Sequence, residues 1–192
     1  MEELIGKVTV AEFWGSPYKR RHGDNSLSLE EWNEYNQLKE KLVPDSNIRF
    51  TCTSDARKKL SGCEFVVLGP RKEVNNSETR ECHDACLVIW GHSPANNFII
   101  CGDASDSQLD QIKNDWELSD CTVLRASHHG SDNNANLEFI KVASPRDTII
   151  STESGIFDNL PSNTALQRYR QYSKNVFRTD IDGTCTTPLV VT

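Results

Sequence analysis

The chain has 192 residues, a formal net charge of -7 and 36% hydrophobic residues. This length fits one large domain better than two, and the Phe, Trp and Tyr residues supply enough core material to exclude a wholly disordered chain. Nucleic-acid affinity comes largely from Lys and Arg, so the negative charge excludes attraction over the whole surface and leaves only local contacts.

Cysteine usage and hydropathy indicate the compartment. Seven cysteines are scattered singly, which is not typical of a secreted disulfide framework. No apolar run reaches the roughly 18 residues that a membrane helix needs, and the first residues lack the pattern of a signal peptide. We therefore expect a cytoplasmic protein with no membrane partner.

The first half of the chain predicts one strand, one helix and several short strands. Residues 7–13 alternate apolar and polar side chains like a half-buried strand. Ser28 and Glu31 predict a capping box that begins a helix, which ends before Pro44. The apolar residues of that helix are spaced to lie on one face, which predicts that this face is buried and that Trp32 lies in the core. Further strands are predicted at 48–52, 63–68, 86–90 and 98–101, in an antiparallel or mixed sheet.

From Ser105 onwards helices and strands alternate. A helix capped by Ser105 or Asp106 is followed by predicted strands at 121–125, 147–151 and 176–179, with helices at about 134–142 and after Ser162. Asp182-Gly183 predicts a tight hairpin leading into 189–191. The basic cluster at 57–59 is expected to be a solvated loop. We expect one α/β (α+β) domain over 1–192, with layered sheets and outer helices.

Asp103 is the first residue that could carry chemistry. It follows the apolar run 98–101 and Gly102, where a strand ends just before a helix. A carboxylate at that position can ligate or bridge a hydrolytic metal ion, and the helix dipole favours its ionised form. The alternative is that Asp103 only caps the helix.

The strongest signal is Ser127-His128-His129-Gly130-Ser131, after the apolar run 121–126. Imidazole nitrogens suit zinc or manganese, and the glycine allows a sharp turn beside a site. The alternatives are a surface turn or one buried, hydrogen-bonded histidine. With Asp103 upstream, we assign metal binding to Asp103, His128 and His129, catalysis to Asp103 and His128, and substrate contact to Ser131.

His83 could add a metal ligand from a separate loop. A small structural zinc site formed by Cys82, His83 and Cys86 is the alternative, although no second pair stands at the spacing of a zinc finger. No phosphate-binding loop of the Gly-x-x-x-x-Gly-Lys-Ser/Thr type is present.

The order of these segments closely resembles the metallo-β-lactamase-fold domain of ComEC-type (competence, DNA-uptake) proteins of bacterial type and their stand-alone hydrolase relatives. The resemblance runs from about Val8 to the C-terminus. It is carried by residues 10–14, 83–89, 102–103, 127–131, 145–151 and 178–184.

The resemblance implies a four-layer αββα sandwich with a divalent metal, zinc or manganese, at one edge of the sheets. The activity it implies is hydrolysis, often of phosphodiesters in nucleic acid. Two departures limit this. The His-x-His-x-Asp-His motif is absent, so we expect a domain truncated at its N-terminus, and Leu160 stands where the family's late motif has a histidine.

Two hypotheses follow. In the first, the chain is a metal-dependent hydrolase of the metallo-β-lactamase superfamily, nuclease-like, in degenerate or partial form. In the second, it is a catalytically inactive binding or scaffold subunit of a larger assembly. For either, we expect an exposed sheet edge and apolar face that a partner chain or a homo-oligomer would cover.

Overall fold

The computed structural model describes residues 2–76, 81–155 and 159–186, which form a mixed α/β structure. The nine strands are β1 (Phe13–Gly15), β2 (Arg49–Thr51), β3 (Arg57–Leu60), β4 (Cys63–Gly69), β5 (Val88–His92), β6 (Asn97–Ile100), β7 (Val123–Arg125), β8 (Asp147–Ile150) and β9 (Asn175–Arg178) among the residues described. The α-helices of the same residues are α1 (Leu29–Leu42), α2 (Asp106–Asp115), α3 (Leu137–Ala143), α4 (Asn163–Tyr172) and α5 (Thr179–Asp182).

Side-chain caps fix where the longer helices begin. Ser28, Ser105, Asn136 and Ser162 each accept a hydrogen bond from the backbone N–H three residues on, which satisfies a donor that the helix itself leaves unpaired. The predicted capping box of Ser28 and Glu31 is confirmed, and Ser105 is the cap of α2.

The seven strands β3 to β9 form one mixed sheet in chain order. The pairs from β3 to β6 are antiparallel, and the pairs from β6 to β9 are parallel. The carboxyl ends of β6, β7 and β8 therefore share one edge, and the amino end of β5 lies at the same edge. Strands β1 and β2 form a separate two-stranded parallel sheet.

One face of the large sheet carries the hydrophobic core. Helices α2, α3 and α4 pack there and contribute Leu109, Phe139 and Tyr169 to the same buried cluster as Ile99 and Leu124. Because side chains alternate along a strand, the neighbouring residues project from the opposite face. On that opposite face Ile100 is 42% exposed and Leu60, on the outermost strand, is 59% exposed.

Three local predictions were wrong. Residues 7–12 are not a strand, since backbone pairing with β2 begins only at Phe13. The basic residues Arg57 to Lys59 belong to β3, an exposed outer strand, where charged side chains discourage pairing with another chain. Asp182-Gly183 ends α5 instead of forming a hairpin, and Gly183 adopts a φ of 70° there.

Two other predictions fall wholly or partly outside the described residues. The predicted strand at 189–191 lies wholly outside them, as do residues 156–158 of the late segment that ends at Pro161. Among the described helices, none has the length and apolar content to cross a bilayer.

Candidate functional site

The carboxyl edge of the parallel strands gathers the candidate residues. Asp103 follows β6, His128 follows β7, and His83 lies in the 3-10 turn Cys82–Ala85 that precedes β5. Backbone hydrogen bonds tie the three segments together: the His128 N–H donates to the Gly102 carbonyl (3.1 Å), and the Ser105 N–H donates to the His83 carbonyl (3.0 Å). The sheet topology thus places all three residues at one edge.

The rings of His83 and His128 are in direct contact. The ring centroids of His83 and His128 are 4.7 Å apart, with 38° between the planes. The rings of His128 and His129 are 6.3 Å apart at 64°. The ring of His83, the weaker candidate on sequence, therefore lies closer to that of His128 than the ring of the adjacent His129 does.

The turn that carries the histidine pair has an unusual backbone. His128 and His129 adopt φ angles of 45° and 54°, in the left-handed region that side chains other than glycine rarely occupy. Gly130 follows at 79°, and a Cβ there would stand 2.7 Å from Pro161 Cβ. Backbone strain of this kind concentrates at functional sites, where the surrounding structure holds it.

Asn134 fixes the orientation of the His128 ring. Its Nδ2 donates to the Ala104 carbonyl (2.9 Å), so its Oδ1 is the atom that faces His128 Nδ1 at 3.1 Å. An amide oxygen only accepts, so His128 carries its proton on Nδ1 and its lone pair on Nε2. This is the arrangement of a metal-binding imidazole supported by an outer hydrogen bond.

His129 is oriented in a similar way. Its Nδ1 lies 2.6 Å from the carbonyl oxygen of Ser151, at the end of β8. A carbonyl only accepts, so the proton of this ring also lies on Nδ1. Both histidines of the pair therefore have Nε2 as their basic nitrogen.

Asp103 lies beside a cation and does not cap α2. Its carboxylate is 3.8 Å from Arg125 Nη1, and the same nitrogen donates to the Gly102 carbonyl at 2.5 Å. The side chain of Asp103 is 43% exposed and that of Arg125 is 25% exposed. The pair places one negative and one positive group at the strand edge, open to solvent.

Sequence reasoning missed Asp84, which attaches the His83 turn to α2. The hydroxyls of Ser105 and Ser107 both donate to Asp84 Oδ1. Asp84 also accepts a hydrogen bond from the Glu81 N–H (2.8 Å). No local sequence pattern reveals this link, because Asp84 and the two serines are more than 20 residues apart and meet only in the folded chain.

Ser131 lies at the end of the histidine turn. Its N–H donates to the His128 carbonyl (3.0 Å), and its side chain is partly exposed. The late segment closes on the same turn, since the Ser162 N–H donates to the Gly130 carbonyl (3.0 Å). Leu160, two residues earlier, cannot ligate a metal ion.

The donor chemistry fits a divalent metal ion only in part. Imidazole and carboxylate groups suit zinc or manganese. Within 2–76, 81–155 and 159–186, however, no three His, Cys, Asp or Glu side chains are grouped to hold one ion together. Catalytic zinc sites use three protein ligands, so the described side chains provide an incomplete set.

The nearby cysteines are protonated at neutral pH. Burial raises the pKa of Cys86 to about 12 and also raises the pKa of Cys82. A thiol rather than a thiolate is a poor nucleophile. The side chains that could carry chemistry at this edge are therefore the histidines and carboxylates.

Comparison with known proteins gives little similarity. No family model matches the chain, and no curated protein is similar to it at a significant level. Among solved structures, the chain is similar to a candidate Zn-dependent hydrolase of the metallo-β-lactamase superfamily from Thermotoga maritima. The TM-score is 0.39 and the identity 11%, over 68% of this chain and 72% of that one. We assign no family on this similarity.

Proposed function

We propose that this chain is a metal-dependent hydrolase of the metallo-β-lactamase type, acting on phosphodiesters in the manner of ComEC-type nucleases. In this proposal the described seven-stranded sheet is one half of an αββα sandwich. The observation that carries the proposal is the contact between the rings of His83 and His128 at the strand edge that also bears Asp103.

Each residue at this edge has a role in the proposal. His83 and His128 would each supply a ligand to a zinc or manganese ion, with Asp103 and His129 beside them as further candidate ligands. Such an ion, when bound, polarises a phosphoryl oxygen and lowers the pKa of a water molecule. Asn134 would keep Nε2 of His128 as the basic nitrogen, while Arg125 and Ser131 would bind phosphate oxygens.

The incomplete set of donors limits what the chain does alone. We propose that a partner chain supplies the remaining ligands. Hydrolysis of bis(p-nitrophenyl) phosphate with added zinc or manganese tests the activity. We expect slow, metal-dependent turnover that Asp103→Ala and His128→Ala abolish and that His92→Ala, at the opposite end of β5, leaves unchanged. Equal rates in all four proteins would contradict the proposal.

A second candidate function is a non-catalytic binding or scaffold subunit. The partly exposed apolar face, with Ile100 and Leu60, favours it because such surfaces commonly meet another polypeptide. In this case a partner chain or a second copy of this chain covers the face. A monomer by static light scattering that binds no apolar dye would contradict it.

A further inference from the structure

A second concave feature lies outside the histidine site. It is a cleft of about 620 Å³ between α1, the β1–β2 sheet and residues 82–87, and we call it the aromatic cleft. A volume of this size is typical of sites that bind small molecules. The sequence predicts Trp32 as a core residue, but in the structure this side chain lines the cleft and is only partly buried.

Six of the residues that line the cleft are aromatic: Phe13, Trp14, Tyr18, Trp32, Tyr35 and Phe50. Trp32 and Tyr35 are stacked, with centroids 5.8 Å apart and 26° between planes. The edge of Tyr18 meets Trp32 at 5.5 Å. Phe50 is 47% exposed, so one of the rings is open to a ligand.

The arrangement follows from helical spacing on α1. Trp32, Tyr35 and Lys39 lie three and four residues apart, which places them on one face of a helix. The acidic residues of the first turn, Glu30 and Glu31, do not line the cleft. The helix thus directs its rings and one cation towards the cleft.

The charge of the cleft is opposite to that of the chain. Among the described residues that line it, the charged ones are Lys39 and Arg49, although the net charge of the protein is -7. Lys39 Nζ is 5.1 Å from the centroid of the Tyr35 ring and donates to Asn36 Oδ1 at 2.8 Å. Arg49 is held by its Nε, which donates to the Val43 carbonyl at 2.6 Å. These cations favour an anionic ligand.

We infer that the aromatic cleft binds a nucleotide, with the base stacked on aromatic rings and the phosphate near Lys39 and Arg49. Stacking on aromatic side chains together with nearby cations is how proteins hold unpaired bases without reading their sequence. The shape and charge of the cleft indicate a planar anion independently of the proposed function. The choice of a nucleotide among planar anions rests on that function. Either a free mononucleotide or the end of a single strand supplies this chemistry.

The aromatic cleft adjoins the histidine site through one short segment. Cys82, Ala85 and Cys86 line the cleft, and His83 lies in the same turn. A nucleotide or strand end bound in the cleft would therefore lie next to the turn that carries His83.

Calorimetric titration of the full chain in EDTA tests the inference without any metal ion. The probes are AMP, adenosine, ribose 5-phosphate and a single-stranded oligothymidylate. We expect AMP to bind about tenfold more tightly than adenosine or ribose 5-phosphate, because only AMP offers both stacking and charge. If oligothymidylate binds much more tightly than AMP, the ligand of the cleft is the end of a single strand. If the two bind with equal affinity, the ligand is a free mononucleotide. Absence of binding by both AMP and oligothymidylate would overturn the inference.

Exposed positions, and the partly exposed Lys39, provide variants that should still fold. Phe50→Ala and Lys39→Gln should each weaken AMP binding by about fivefold or more, whereas Leu60→Ala and Lys41→Gln, outside the cleft, should not. Equal loss in the matched controls would overturn the inference. Because EDTA is present throughout, an inactive protein that binds AMP contradicts only the proposed hydrolysis, and an active protein that does not bind it contradicts only the cleft.

Discussion

The imidazole rings of His83 and His128 lie 4.7 Å apart, although one precedes β5 and the other follows β7. The contact exists because β5 is antiparallel to β6 while β6 and β7 are parallel. The start of β5 and the end of β7 therefore meet at one edge of the sheet. Two imidazoles in contact, one of them oriented by Asn134, form the most specific chemical feature of this edge.

This contact predicts a shared response to zinc. A ligand at about 100 times its Kd stabilises a fold by about 2.7 kcal/mol. For a chain of this size that corresponds to a rise in Tm of roughly 5–10 °C. We expect zinc to raise the Tm of the wild type, and we expect His83→Ala and His128→Ala each to remove most of that rise. Differential scanning fluorimetry with and without zinc measures the effect.

The control for the zinc prediction is His92→Ala. His92 lies at the far end of β5, 3.5 Å from Glu64, so its replacement should leave the zinc response unchanged. If His83→Ala and His92→Ala respond to zinc as the wild type does, the shared site does not exist.

Asn134→Ala should destabilise the protein and weaken its response to zinc. Asn134 is 6% exposed and joins the His128 ring to the Ala104 carbonyl. Without the Asn134 amide, the buried Ala104 carbonyl loses one hydrogen bond and the His128 ring loses its partner. The free energy of unfolding should fall by about 1–3 kcal/mol. Urea unfolding measures the loss. Asn33→Ala, on the exposed face of α1, should cost far less, and equal losses would show that Asn134 has no special role.

Much of the strand and helix order was predictable from local patterns. The capping box of Ser28 and the cap at Ser105 were recognised because each depends on a few adjacent residues. The mixed sheet was anticipated from short apolar runs bounded by glycine and asparagine. Edge strand β3 was missed because its residues Arg57 to Leu60 are all exposed and carry no alternating pattern.

The sequence predicted where Asp103 and His128 lie in the fold, but not the contacts that support them. Asp103 and His128 were found because each follows an apolar run, the signal of a strand that ends in a loop. The Asn134 bond and the Asp84 link were not, since they join segments that only tertiary folding brings together. The Arg125 ion pair with Asp103 gave no signal either, because its two members lie on different strand ends.

Asp147 predicts a loss of stability in acid. Burial raises the pKa of this carboxyl, but hydrogen bonds from Asn175 Nδ2 (2.8 Å) and Arg146 Nε (2.9 Å) outweigh it, so the pKa lies below its usual range. A lowered folded-state pKa contributes stability above the unfolded value of about 3.9, and this is lost as the pH falls through the folded value. Urea unfolding at pH 6 and pH 3 should differ less for Asp147→Asn than for wild type.

Asp120→Asn is the matched control for that pH dependence. Asp120 is an exposed carboxylate in the loop before β7, so its replacement should leave the difference between pH 6 and pH 3 as in wild type. An identical pH dependence for Asp147→Asn and wild type would mean that the hydrogen-bonded carboxylate contributes nothing.

Gly130→Ala should disturb the histidine turn more than any comparable glycine replacement. Gly130 has a φ of 79°, and an added Cβ would lie 2.7 Å from Pro161 Cβ and 3.2 Å from Ile150 Cγ2. Gly62 has a similar φ of 81°, but a Cβ there meets nothing within 4 Å.

Gly62→Ala thus isolates the backbone strain of about 1 kcal/mol, and Gly130→Ala adds the steric overlap to it. We expect Gly130→Ala to lower the free energy of unfolding by at least about 1 kcal/mol more than Gly62→Ala, and to reduce the zinc-dependent rise in Tm. If the two variants lose equal stability, Pro161 does not constrain the turn that holds His128 and His129.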